Sequence, residues 1–295
     1  MESKPPLFSL EYLPLLIRLE CRESASLPPF LGSTLHGVLG WALTRHPALY
    51  TYLFENKRFG GSGQDIVNPY IIEPIRTKAQ YQPGEQLHFR LILIGEAIRY
   101  AEDVVQVLAQ VRHFRFGAAR CLFELRDILH GDQYGPIWQG GDFQTSALVP
   151  ENIVDASAEE QASWCSVHLI TPLRIRRGGE LVQQLNFPTL IRSITKRVNL
   201  LTERYGGMTD AAAAAQACEQ AGDIRMVSHA LYLNRMHRYS NRKQESLDWS
   251  GLLGAMTFEG DLTQFTPWLH AARVLHIGRN STFGCGQVDV VWRFM

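Results

Sequence analysis

The sequence predicts an α+β fold made of two tandem ferredoxin-like units. The order strand, helix, strand, strand, helix, strand occurs in residues 1–135 and again in residues 161–295. This βαββαβ order is the split motif of ferredoxin-like folds. Residues 136–160, rich in Gly, Gln, Ser and acidic residues, are expected to be the linker between the two units.

The first predicted unit begins with an apolar run and continues into a helix with Ser33 as its N-cap. The apolar residues after Ser33 recur at the i, i+3, i+4, i+7 spacing of one helical face. Two β-rich segments then flank the turn Gln82-Pro83-Gly84 and should form a hairpin. The expected elements are strand Leu10–Cys21, the Ser33 helix, strands Asn68–Ile75 and Gln86–Ile94, helix Tyr100–Phe114 and strand Arg120–Leu129.

The second predicted unit repeats this order with an insertion. An Ala-rich stretch, Asp210–Ala221, and the segment that continues to Asn234 are expected to form a helical excursion. Gly206-Gly207 should end the helix before it. The other expected elements are strand Ser163–Ile175, helix Phe187–Tyr205, strands Arg235–Gln244 and Leu252–Phe258, helix Thr263–Ala272 and strand Gln287–Phe294.

Composition indicates a globular cytoplasmic protein. Hydrophobic residues make up 45% and charged residues 20% of the chain, as in ordinary soluble domains. The five cysteines are scattered, with no CxxC pair and no Cys/His spacing that would seat zinc, so neither a metal nor a cofactor is expected. The N-terminus does not resemble a signal peptide and no run reaches 18 apolar residues, so no membrane partner is expected.

The charge distribution indicates an anionic partner for the second half. The formal net charge is zero, but the residues from Cys165 onward contain 15 Lys and Arg against 10 Asp and Glu. The residues before Cys165 contain 14 against 19. Such asymmetry is typical of proteins that bind an anion on one side, although solvated charges can also partition unevenly.

A glycine-rich segment, LHIGRNSTFGCGQVDV, precedes the last predicted strand. Gly278, Gly284 and Gly286 surround Arg279, Asn280 and Ser281 there. Glycines permit positive φ and a close approach of phosphate, and an arginine can donate two bonds to it. The segment is not a Walker loop, because Gly284 is not followed by lysine. The alternative interpretation is a tight helix-to-strand connection.

Together with three further segments, the glycine-rich loop resembles the CRISPR-associated family six endoribonuclease of the RAMP superfamily. The segments are LPPFLGSTLHGVLGWAL, TPLRI at Thr171–Ile175, and RYSNRKQ at Arg238–Gln244 followed by GLLG. The resemblance implies tandem RAMP/RRM-like domains that bind CRISPR repeat RNA and retain the crRNA, with other CRISPR effector subunits as protein partners. It also implies metal-independent cleavage within repeats, in which the 2′-hydroxyl attacks the phosphate and leaves a 2′,3′-cyclic phosphate and a 5′-hydroxyl.

Such chemistry needs a group that transfers protons near neutral pH, and histidine suits that role. The position that matches the family's usual histidine is Phe54 in this chain. His46, expected at the C-terminal end of the first helix where its protonated form would be favoured, is the first replacement. His36, within that helix, is the second; it could also fill a structural position.

The predicted RNA-binding residues are basic, polar or glycine side chains of the second half, and a solvated surface is the alternative for each group. They are Arg174, Arg176, Arg177, Arg192, Lys196, Arg238, Ser240, Arg242, Gly278, Arg279, Asn280, Ser281, Gly284 and Gly286. Two other functions stay open: a noncatalytic RAMP subunit that binds crRNA, favoured by Phe54, and a small-molecule-binding regulator.

Overall fold

The computed structural model describes residues 6–56, 67–154, 161–240 and 245–294. The chain divides into two compact units. The N-terminal unit comprises Glu11–Asn152 and Arg204–Gly206. The C-terminal unit comprises Met1–Leu10, Ile153–Glu203 and Gly207–Met295.

The first part of the chain contains the predicted strands and helices together with several short strands. The elements are β1 (Phe8–Cys21), β2 (Ala25–Ser26), α1 (Gly32–Leu43), α2 (Pro47–Tyr50), β3 (Tyr70–Ile75), β4 (Gln80–Tyr81), β5 (Gln86–Ile94), α3 (Ala101–Val111), β6 (His113–Phe116), β7 (Cys121–His130), β8 (Pro136–Gln139), β9 (Asp142–Phe143) and β10 (Glu151–Val154).

The main sheet of the N-terminal unit has the ferredoxin-like strand order. Its four long strands lie in the order β7-β1-β5-β3, and every pair is antiparallel. Helices α1 and α3 join β1 to β3 and β5 to β7, and their apolar faces share one core with the sheet. Leu35, Leu39 and Leu108 in these helices are all buried there. The βαββαβ prediction is confirmed for this unit.

The expected linker instead contains strands of the first sheet. β8 pairs with β7, β9 with β8, and β10 with β1. Ile137 and Trp138 are buried in the core of the N-terminal unit, which holds β8 against the sheet. Gly140 and Gly141 both have positive φ and allow the tight turn between β8 and β9. Two of the glycines on which the linker prediction rested therefore belong to a hairpin turn within the sheet.

The second part of the chain contains β11 (Ala162–Leu173), β12 (Arg176–Arg177), β13 (Glu180–Leu181), α4 (Phe187–Tyr205), β14 (Met208–Thr209), α5 (Ala211–Gln220), β15 (Arg225–Asn234), β16 (His237–Ser240), β17 (Glu245–Asp248), β18 (Gly251–Glu259), α6 (Thr266–Leu275) and β19 (Val288–Phe294). The long strands lie in the order β19-β11-β18-β15, which is again ferredoxin-like. Helix α4 has the predicted bounds. The βαββαβ prediction is confirmed for this unit as well.

The second strand of this sheet lies earlier in the chain than predicted. The second strand of the sheet is β15, which lies in the segment that was expected to be a helical excursion. The α-helix of that segment, α5, already ends at Gln220. The predicted strand Arg235–Gln244 contains β16, which pairs with β17 in a separate hairpin. β15 is an edge strand, and Ser228, His229 and Ala230 in it are exposed. An edge strand with exposed side chains lacks the apolar alternation from which strands are predicted.

Two further details concern the helices. Ser33 is not the N-cap of α1, because the helix already begins at Gly32 and Leu31 precedes it in a helical conformation. Leu31 is fully buried, so packing fixes the first residue of α1 without a side-chain cap.

Among the described helices, none is both long enough and apolar enough to span a bilayer.

A glycine in β18 gives a test of the second sheet. Gly254 has a φ of +120°, and a Cβ there would lie 1.8 Å from the carbonyl oxygen of Ala230 in β15. We expect Gly254→Ala to lower the free energy of unfolding by more than about 2 kcal/mol, because it combines backbone strain with this clash. Chemical denaturation measures the change.

Gly222→Ala is the matched control, since no atom lies within 4 Å of a Cβ at Gly222 and its φ is not in the positive region. Equal stability of the two variants would contradict the pairing of β15 with β18.

Candidate functional site

The imidazole of His36 is held by a tyrosine on the neighbouring sheet. Its Nε2 lies 3.1 Å from the hydroxyl oxygen of Tyr70, in β3. Tyr70 is fully buried, and this burial raises the pKa of its hydroxyl well above the usual value. The hydroxyl therefore stays neutral and fixes the orientation of the half-buried His36 ring without adding charge.

Phe54 lies directly against His36. The centroids of the two rings are 4.8 Å apart, and Phe54 also stacks on Tyr70 at 5.1 Å and on Tyr50 at 5.6 Å. Gly40 makes room for Phe54, because a Cβ at Gly40 would lie 3.0 Å from Phe54 Cε1. The structure thus brings His36 next to the position where the resemblance led us to expect a histidine.

His46 has a different environment from the one expected. Helix α1 ends at Leu43, and His46 caps the N-terminus of the short helix α2. Its Nδ1 accepts a hydrogen bond from the backbone N–H of Leu49 at 3.2 Å, so the proton of the neutral ring is on Nε2. Nε2 lies 3.9 Å from Asp103 Oδ1, and the side chain is 39% exposed. His46 therefore lies at the N-terminus of α2 and not, as expected, at the C-terminal end of α1.

The glycine-rich loop is folded tightly against the end of β11. The hydroxyl of Thr171 donates to the carbonyl oxygen of Gly284 at 2.6 Å. A Cβ at Gly286 would lie 1.8 Å from the carbonyl oxygen of Ile277. Gly284, Gly286 and Ser281 are buried, so the tight-connection interpretation accounts for them.

Gly278, Arg279 and Asn280 form the accessible part of the loop. All three are partly exposed, and Gly278 and Asn280 have positive φ. The backbone N–H of Arg279 donates to the carbonyl oxygen of Arg174 at 2.8 Å. Of the predicted loop residues, these three are therefore placed where a phosphate could approach them.

Arg174, predicted to bind RNA, is instead buried beneath the loop. It is 4% exposed, and burial lowers the pKa of its guanidinium. Its Nε donates to Asn280 Oδ1 at 3.2 Å, Nη2 donates to the carbonyl oxygen of Asp248 at 3.0 Å, and Nη1 donates to that of Ser250. Arg174 thus joins the end of β11, the loop and the turn between β17 and β18.

Four further predicted cations lie on two elements of the C-terminal unit. Arg176 and Arg177 are exposed on the β12–β13 hairpin, whose turn contains Gly178 and Gly179 at positive φ. Arg192 and Lys196 are exposed on α4. They share one side of the helix, as their spacing predicted.

Arg197, the neighbour of Lys196 in α4, points inward. Its Nε donates to the carbonyl oxygen of Leu275, the last residue of α6, and burial lowers its pKa to about 10. The sequence suggested Arg197 as part of one basic patch with Arg192 and Lys196, but its burial removes it from that patch. Sequence reasoning did not single out Tyr70, which looks like an ordinary strand residue and whose partner His36 is 34 residues away.

Arg238 and Ser240 lie on β16, where they pair with Leu247 and Glu245 of β17. Arg242 lies outside the described residues.

No group of three or more His, Cys, Asp or Glu within the described ranges is arranged to hold a metal ion.

Replacement of Arg174 tests its place under the loop. Arg174→Met would remove the donor from three acceptors, including the buried carbonyl oxygen of Ser250, so we expect a loss of about 2–4 kcal/mol in the free energy of unfolding. Chemical denaturation measures this loss. The exposed Arg176→Met is the matched control and should change stability by less than about 0.5 kcal/mol. A similar effect of both substitutions would contradict the structural place assigned to Arg174.

Two family models match the chain. Residues 10–152 match a model described as an N-terminal domain, and residues 167–288 match CRISPR-associated endoribonuclease Cas6. No curated protein sequence matches the chain.

Several solved Cas6 structures have the same fold. Thermus thermophilus Cas6 is 13% identical with a TM-score of 0.62, over 96% of this chain and 99% of that chain. A Cas6 product complex is 17% identical with a TM-score of 0.56, over 95% and 99%. A partial Cas6-RT-Cas1–Cas2 complex is 12% identical with a TM-score of 0.63, over 98% of this chain and 47% of that chain.

These matches cover both units. The Cas6 model accounts for most of the second βαββαβ repeat, and the solved Cas6 structures share the fold over nearly the whole chain. Residues 167–288 therefore match the Cas6 endoribonuclease family, and the chain as a whole is similar in fold to solved Cas6 structures.

Proposed function

We propose that this protein cleaves CRISPR precursor RNA within its repeats, without a metal ion, and retains the crRNA product. The observation that carries the proposal is the His36 imidazole, which Tyr70 and Phe54 hold in one orientation beside the position of the family's expected histidine. A partly exposed imidazole fixed in this way suits proton transfer. The protein would act in the cytoplasm.

In the proposed reaction the 2′-hydroxyl before the cut attacks the adjacent phosphorus. His36 takes the proton from this hydroxyl, and the P–O5′ bond breaks as the new P–O2′ bond forms. The products are a 2′,3′-cyclic phosphate and a 5′-hydroxyl, whose oxygen takes a proton from solvent water, while His36 later gives its proton back to solvent, so that no net proton is gained or lost. Tyr70 is a positioning residue, because its neutral hydroxyl holds the imidazole and does not contact the RNA. His46 is the second candidate for proton transfer.

The C-terminal unit is proposed to bind RNA phosphates. Gly278, Arg279 and Asn280 form the accessible part of the glycine-rich loop, in which Gly278 and Asn280 have positive φ. Arg176 and Arg177 add two exposed cations soon after the end of β11, the strand against which the loop folds. Arg192 and Lys196 form a second basic surface. Arg238, Ser240 and Arg242 are also proposed to bind RNA. Arg174 supports the loop from below.

The solved relatives guide the choice of partners. They include a Cas6 product complex and a Cas6-RT-Cas1–Cas2 complex. We therefore propose repeat RNA and crRNA as the ligands of this chain, and other CRISPR proteins as its class of protein partner.

One observation favours a second function, a noncatalytic subunit that binds crRNA. Phe54 places an apolar ring, packed between Tyr50, Tyr70 and His36, where the family resemblance predicts an imidazole. A phenyl ring cannot transfer a proton. If His36 does not replace the missing group, the protein binds its RNA and leaves it intact.

A cleavage assay distinguishes the two functions. The protein is incubated with labelled repeat RNA from the CRISPR arrays of the host genome in the presence of EDTA. We expect cleavage to continue with EDTA, and to stop, with binding unchanged, when the nucleotide before the cut is 2′-deoxy, because the nucleophile is then missing. Cleavage of the deoxy RNA would exclude the proposed nucleophile, and inhibition by EDTA would exclude a metal-independent reaction. Binding without any cut product would favour the noncatalytic function.

Replacement of single histidines tests the proton-transfer group. We expect His36→Ala to lower the single-turnover cleavage rate by roughly 100-fold or more, with unchanged RNA affinity, because general acid–base groups typically contribute factors of about 10² to 10⁴. His46→Ala should have a smaller effect.

The matched control is His113→Ala, an exposed histidine of β6 in the same unit, which should cleave like the wild type. Thermal unfolding of all three variants checks that they fold. Wild-type cleavage by His36→Ala would remove His36 from the reaction.

A further inference from the structure

An exposed tryptophan on α1 has no part in the core. Trp41 is 49% exposed, although the guanidinium of Arg45, one turn further along the chain, lies 4.2 Å from its ring centroid. Arg45 Nη1 also lies 3.4 Å from the carbonyl oxygen of Trp41. The pair therefore presents a large aromatic ring and a positive charge at the same point of the surface.

The surroundings of Trp41 leave space for one planar ligand. Gly37, one turn earlier on the same side of α1, is exposed, and no atom lies within 4 Å of a Cβ built on it. Thr44, whose hydroxyl donates to the carbonyl oxygen of Trp41 at 2.7 Å, is exposed and small. Helical side chains lean toward the helix N-terminus, so the surface on the N-terminal side of Trp41 is the turn at Gly37, where no side chain occupies the space.

The same surroundings argue against a protein interface at this point. A protein-binding patch usually has a contiguous apolar centre of several side chains. The exposed residues next to Trp41 are Gly37, Thr44 and Arg45, none of which is a large apolar residue. An isolated indole with a stacked guanidinium matches the chemistry that recognises unpaired nucleobases, since aromatic rings stack on the base and the cation attracts its phosphate.

We infer that Trp41 and Arg45 form a stacking site for one unpaired nucleobase of the bound RNA. The inference rests on the proposed function, because it assumes that RNA is the ligand of this protein. The site would add recognition of a base to the phosphate contacts proposed for the C-terminal unit. It lies on α1, the helix that also carries His36.

The test combines protein variants with an abasic scan of the RNA. Fluorescein-labelled host repeat RNA, and a series in which each nucleotide in turn is abasic, are titrated with wild type, Trp41→Ala and Trp41→Phe, and anisotropy gives Kd. We expect Trp41→Ala to bind intact repeat roughly 5- to 150-fold more weakly, as for the loss of one stacked base. Trp41→Phe should keep part of the affinity, because it keeps a smaller ring.

The decisive result is coupling at one nucleotide. At least one abasic substitution should weaken binding to the wild type and have no further effect on Trp41→Ala. The inference is overturned if Trp41→Ala binds intact RNA as tightly as the wild type. It is also overturned if every abasic substitution raises the Kd of both proteins by the same factor.

A control variant separates stacking from general surface effects. Tyr134→Ala removes another exposed ring of the N-terminal unit, which is 62% exposed, and should leave Kd and the abasic profile unchanged. Thermal unfolding confirms that each variant is folded. Failure of the wild type to bind any host repeat RNA would overturn the proposed function itself, whereas binding without coupling would overturn only the stacking site.

Discussion

The guanidinium of Arg174 is buried where three segments of the C-terminal unit meet. It donates to Asn280 in the glycine-rich loop and to two carbonyl oxygens in the turn after β17, while its own carbonyl oxygen accepts from Arg279. A buried charge is stable only where acceptors surround it, so these segments must keep their positions together. The accessible part of the loop depends on this one side chain.

The N-terminal unit holds its candidate histidine by apolar packing. His36 lies among the rings of Phe54 and Tyr70, and its Nε2 is within hydrogen-bond distance of the Tyr70 hydroxyl. Ring packing restricts the imidazole to one orientation, and burial keeps the tyrosine neutral. The loop and the histidine are thus positioned by different forces, charge-assisted hydrogen bonds in one unit and aromatic packing in the other.

The charge asymmetry of the sequence has a counterpart in the ion pairs. Many arginines of the N-terminal unit lie beside carboxylates: Arg18 pairs with Asp127, Arg90 with Glu73, and Arg22 with Glu20 and Glu124. Paired cations are already neutralised and attract a polyanion weakly. In the C-terminal unit, Arg176, Arg177 and Arg192 are exposed. The excess of positive charge there is consistent with a phosphate-binding surface.

The sequence by itself determined both βαββαβ repeats, the bounds of α4 and the place of the glycine-rich loop, because apolar periodicity and glycine spacing are local signals. Only the tertiary structure decided that β15 is a sheet strand, that Arg174 is buried, and that Tyr70 holds His36. Each of these depends on a partner distant in the chain, such as Gly254, which pairs with Leu231 across a separation of 23 residues. No local pattern encodes such a contact, because it exists only when the sheet brings both residues together.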